Sequence, residues 1–182
     1  MTDKADGATT AQKEEANKFH ILRVYTKDVS FESPQSPDIF LRQGNWSPQV
    51  SLQLNNGARK LADSVYEVSL NVTVTAKLDE EVLYLIEVKQ AGLFQIEGFT
   101  EPTTGVLLGS YCPNALFPYV RETMSSMVSK GSFPQLLLEP INFDALYQQH
   151  MQQRAVEEKA KNANATENKA GATEAPATEA VS

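Results

Sequence analysis

The chain has 182 residues, 41% of them hydrophobic, with a formal net charge of −7, one cysteine and two histidines. The acidic balance disfavours binding to a phosphate backbone and favours a basic partner or the basic segments of a client. One cysteine excludes an internal disulfide and a zinc centre of several cysteines, and no run of roughly 18 apolar residues is present to span a membrane.

Both ends are compositionally simple. Residues 1–18 contain no aromatic residue and no Ile, Leu or Val, and residues 155–182 are mostly Ala, Thr, Glu, Asn and Lys. Such segments bury too little apolar surface to offset chain entropy, so both are expected to be disordered tails around one domain at 19–154. The N-terminal stretch lacks the apolar region of a secretory signal, which predicts a cytoplasmic protein. The triplets at Asn45, Asn71 and Asn164 then carry no glycosylation meaning.

In chain order, FHILRVYTKDVSF (19–31) is rich in β-branched and aromatic residues and predicts a strand. ESPQSPDIFLRQGNWSP (32–48), with three prolines, predicts a long loop carrying Phe40 and the only tryptophan, Trp46. QVSLQL (49–54) alternates, with Val50, Leu52 and Leu54 on one face. YEVSLNVTVTAKL (66–78) alternates for longer, with Val68, Leu70, Val72, Val74, Ala76 and Leu78 opposite a polar face, the pattern of a half-buried antiparallel strand. Asp79 and Glu80 predict a tight turn into EVLYLIEVKQAGLFQI (81–96), which closes a hairpin. On this return strand Tyr84, Ile86, Val88 and Gln90 alternate with Leu83, Leu85, Glu87 and Lys89. Both faces carry apolar residues, so a helix of the same chain or a second subunit must cover one of them.

After residue 104 the spacing turns helical, with Ala115, Leu116, Tyr119, Val120, Met124, Met127 and Val128 three and four apart. Lys130 and Gly131 supply a basic last turn and a terminating glycine. SFPQLLLEPI (132–141) predicts a connection. Asn142 predicts the cap of a second helix whose stripe is Phe143, Leu146, Tyr147, His150 and Met151. Four strands followed by helices predict an α+β fold with a four-stranded antiparallel sheet and two main C-terminal helices.

The chemistry-bearing residues are few. Cys112 stands just before Pro113, where a helix N-terminus would lower a thiol pKa. A nucleophile also needs a base and an orienter, and only His20 and His150 are available; a small buried residue at a helix entry is the better reading. No cluster at metal-ligand spacing and no phosphate loop is present, so neither metal nor nucleotide cofactor is implied. What remains is apolar surface. Trp46, Val50, Leu52 and Leu54, with Phe143 and Tyr147 of the last helix, line either an ordinary sheet–helix core or a groove for extended apolar chain. An enzyme with a small-molecule site and an adaptor for one folded partner are the readings from other classes.

YTKDVSFESP, NWSPQVSLQL, YEVSLNVTVTA and YCPNALFPYVRE with MVSKGSFPQLLLEPINFDALY resemble the SecB family of bacterial protein-export chaperones, over residues 19–149. The resemblance implies a homotetramer built as a dimer of dimers. It also implies ATP-independent binding of unfolded secretory preproteins and their delivery to the SecA motor, with neither nucleic-acid binding nor membrane insertion. A more specialised chaperone with a narrow client set is the variant within the family. By position it implies SecA contacts at Asp28, Glu32, Leu85 and Glu87, and a role in tetramer assembly for Ile86, Val88 and Gln90. Better-known members often have cysteine at the position of Ile86 and a Gly-Gly pair at Ala91-Gly92.

Overall fold

A computed structural model describes residues 17–43 and 46–170. Four antiparallel strands, β1 (Lys18–Glu32), β2 (Gln49–Ala62), β3 (Val65–Leu78) and β4 (Glu81–Glu97), form one sheet in the order β1-β4-β3-β2. Three α-helices follow: α1 (Glu101–Val106), α2 (Cys112–Lys130), joined to it by a π-helical turn at Leu107–Tyr111, and α3 (Phe143–Ala170). The fold is the α+β arrangement that the sequence predicts.

The sheet follows from its alternation. Val68, Leu70, Val72, Val74 and Ala76 of β3 are fully buried and face the same way as Ile86, Val88, Phe94 and Ile96 of β4. Each such Val, Leu, Ile or Phe side chain contributes about 1.5–3 kcal/mol by leaving water. α2 lies across this face, chiefly on β4, and supplies Cys112, Leu116, Phe117, Val120, Met124 and Val128 at helical spacing. The β3–β4 turn places Asp79 at φ 54°, a conformation that aspartate tolerates better than most residues. The outer face of the sheet is mostly polar and, among the described residues, carries no helix.

Several elements differ from the sequence reading. β2 extends to Ala62, well past Leu54, because pairing with β3 carries NNGARKLA along despite its weak strand propensity. The predicted loop contains a short 3₁₀ turn, Asp38–Leu41, which drives Ile39 into the core. The first helix begins at Glu101, capped by Thr100, which accepts from Thr103 N at 3.4 Å. Gly131 is not the left-handed terminator; Ser132 is, at φ 63°. Gly131 is required for another reason: a Cβ there would collide with the ring of Phe31. α3 runs to Ala170, through sixteen residues of the stretch predicted to be a disordered tail from 155. Alanine, glutamate and lysine are strong helix formers, which favours continuation of the element. Residues 1–16 and 171–182 of the predicted tails lie outside the described residues.

Candidate functional site

The sheet presents two unlike surfaces. On its open face, register sets Asp28 of β1 opposite Lys89 of β4, Ser30 opposite Glu87, and Glu32 opposite Leu85. Residues paired across strands share a face, so Asp28, Glu32, Leu85 and Glu87 form one patch on two adjacent strands. A bulge at Lys27 keeps Asp28 on this side. Glu87 is held in place by Asn71 of β3, whose Nδ2 donates to Glu87 Oε1 at 3.1 Å.

Further along the same face lies a buried acid. Glu67 accepts from Tyr25 Oη at 2.5 Å, Lys27 Nζ at 2.9 Å and Arg59 at 2.8 Å. These donors come from both outer strands and tie β1 and β2 to β3. The tyrosine hydrogen bond, then the lysine, hold the Glu67 carboxyl down at about 2, and the same contact raises the Tyr25 hydroxyl. The alternation marked Glu67 as solvated; its burial comes from Tyr25, whose register partner on β4 is the small Ala91.

On the helix-bearing side, Leu54, Phe143 and Tyr147 line an open cavity of about 600 Å³ between β2, the π-helical turn and α3, together with Leu146, His150 and Met151. Val50 and Leu52 continue the same face of β2, 49% and 41% exposed, beyond the reach of α2. Trp46 does not line this cavity. It belongs to an aromatic cluster around Phe133, with ring centroids at 5.0 Å for Tyr84, 5.3 Å for Phe40, 6.3 Å for Phe31 and 6.4 Å for Trp46. Phe31, Tyr84 and Phe133 are absent from the sequence-based set because they come from three distant segments; only the density of aromatic residues in the 32–48 loop and its neighbours hinted at them.

The fourth-strand residues expected to bear on tetramer assembly lie beneath α2. Ile86 and Val88 are 0% exposed and Gln90 is 2% exposed, all on the face covered within the same chain. Gln90 accepts from Thr26 Oγ1 at 3.1 Å. Of the two covers that the sequence allowed for this face, a helix of the same chain, α2, is present on it. Cys112 is likewise buried against the sheet, and desolvation pushes its thiol up to about 12, which keeps it protonated and unreactive.

Comparison with known proteins agrees with this architecture. The family model described as preprotein translocase subunit SecB matches residues 12–154. The protein-export protein SecB of Nitrosococcus oceani is 48% identical over 154 residues, covering 85% of this chain and 94% of that protein. A solved structure, the Mycobacterium tuberculosis Rv1957 SecB-like chaperone in complex with a ChAD peptide from the Rv1956 HigA1 antitoxin, shares the fold with a TM-score of 0.52 at 17% identity, over 68% of this chain and 87% of that one. Among the described residues no helix is long and apolar enough to cross a membrane. The chain belongs to the SecB family of protein-export chaperones.

Proposed function

We propose that the chain holds unfolded secretory preproteins in the cytoplasm on the helix-bearing side of its sheet and hands them to SecA through the patch of Asp28, Glu32, Leu85 and Glu87. The observation that carries this reading is the placement of the two surfaces on opposite faces of one sheet. A client on β2, α3 and the aromatic cluster leaves the acidic face free, so client and motor can be engaged together. Client binding draws on burial of apolar side chains at Val50, Leu52, Leu54, Trp46 and Tyr147 and on attraction between an acidic protein and basic client segments. No step of it requires ATP.

Assembly as a dimer of dimers is part of the same proposal. Among the described residues β1 is an outer strand with an unpaired edge, and Val106, Tyr111 and Tyr119 are exposed along α1, the π-helical turn and α2. Both surfaces suit a second copy. Ile86, Val88 and Gln90 then influence assembly through the seating of α2.

The test is retardation of refolding. The protein should slow the refolding of a destabilised preprotein equally with and without ATP, and should not bind its folded form. Proteins captured from cytosol should be enriched in secretory precursors. A strict ATP requirement, or capture of one folded partner, overturns the reading.

A further inference from the structure

The geometry points to Ser110 and Asp144 as a positioning pair that sets the angle of α3, and with it the width of the groove between α3 and β2. Among the described side chains, those that fasten α3 to the body lie near its start. Asn142 Oδ1 caps it, accepting from Ala145 N at 3.0 Å. Phe143 packs edge-on against Phe117 with centroids at 5.6 Å. The Tyr147 ring lies on Gly105 and Gly109, where no Cβ intervenes. Ser110, 3% exposed, donates its hydroxyl to Asp144 Oδ1. From Gln148 to Glu157 every side chain is exposed. The twelve residue-to-residue rises from Asp144 to Val156 span about 18 Å of helix, so a tilt of about 10° at the fastened end displaces the far end by about 3 Å. The wall of the groove is therefore a lever.

Ser110 sits in the π-helical turn, and that turn is braced from the other wall. Asn56 of β2 donates to Gly109 O at 3.2 Å. In a regular α-helix this carbonyl would meet the N–H of residue 113, which is proline and has none. One turn thus holds β2 through Asn56 and α3 through Ser110, and the pair of contacts fixes the separation of the two walls. Asn142 and Phe143 dock the helix; the Ser110–Asp144 hydrogen bond is the contact that fixes its direction, because it joins the first turn of α3 to a rigid buried point.

This inference rests on the reading of the groove as the client site, and its test separates the two. Spin labels at Lys60→Cys on β2 and Gln152→Cys on α3, in full-length chain diluted into unlabelled chain, report the wall separation by double electron–electron resonance without any client; native Cys112 is buried and stays unlabelled. Ser110→Ala and Asp144→Ala should broaden and shift that distance distribution. Both should speed release of an unfolded preprotein by about 3–10-fold, while circular dichroism and the thermal midpoint of the sheet stay close to wild type. Asp144→Asn, which keeps an acceptor for the Ser110 hydroxyl, should lie nearer wild type than Asp144→Ala. Unchanged distances in both alanine variants, or a lowered thermal midpoint with unchanged distances, would reduce the pair to a packing contact and overturn the inference. Failure of the wild-type protein to hold any preprotein would instead overturn the reading of the groove.

Discussion

Glu67 is the residue whose surroundings depart most from its place in the sequence pattern. An acid on a polar strand face is ordinarily solvated, yet here Tyr25, Lys27 and Arg59 converge on it and its carboxyl falls from 4.5 to about 2. A carboxyl whose pKa is depressed on folding contributes stability that is complete above its unfolded value and lost as pH falls through its folded value. Glu67→Gln should therefore lower stability at neutral pH, and the gap between variant and wild type should close between pH 4.5 and about 2; urea titrations at stepped pH measure it. A gap that persists unchanged into acid would mean that Glu67 acts by shape and not by charge. Glu87 is the complementary case, an acid on the open face, anchored by Asn71 and free to meet a basic partner. Glu87→Lys should weaken SecA binding by about 1–3 kcal/mol, more at low salt than at high, with client holding near wild type. SecA titration at two salt concentrations checks this.

At the scale of elements, α3 is the adjustable part of the fold, seated on the π-helical turn. Gly109 has no room for a side chain, since a Cβ would run into the Tyr147 ring, whereas a Cβ at Gly57 on β2 would meet nothing closer than Ser69 Oγ at 3.6 Å. Gly109→Ala should loosen α3 from the body at a cost of about 1–3 kcal/mol in its docking. Hydrogen exchange should rise in residues 142–150 and stay low in β3 and β4. Gly57→Ala should leave exchange unchanged throughout. Equal exchange in wild type and Gly109→Ala would show that Tyr147 does not fasten the helix.

For the whole molecule, the sheet and α2 form a core that one chain completes, while among the described residues the edge of β1 and the outer face of α1 and α2 remain uncovered. Light scattering should give about four times the 20.1 kDa chain mass. Tyr119→Arg, on the exposed face of α2, should shift the assembly toward dimers with the subunit fold intact. Val88→Lys should act differently: Val88 is enclosed beneath α2, so an ammonium there is buried without a partner and should destabilise the subunit itself. A stable monomer of wild type at micromolar concentration, or a Tyr119→Arg variant that stays tetrameric, would refute this view of assembly.

The strict alternation of 66–78, the turn at Asp79, the helical spacing after Pro113 and the Asn142 cap were legible in the sequence because each rests on local backbone geometry. So was the pairing of Asp28 with Glu32, and of Leu85 with Glu87, on common strand faces. Alternation says that Ile86 and Glu87 point to opposite sides; where both faces carry apolar residues it does not say which side a helix covers, and only the seating of α2 on β4 put Ile86, Val88 and Gln90 inside. The gathering of Phe31, Phe40, Trp46, Tyr84 and Phe133 and the burial of Glu67 likewise belonged to the tertiary structure alone. Each joins residues far apart in the chain, and contacts of that kind are selected by packing and charge pairing in three dimensions, which no local period records.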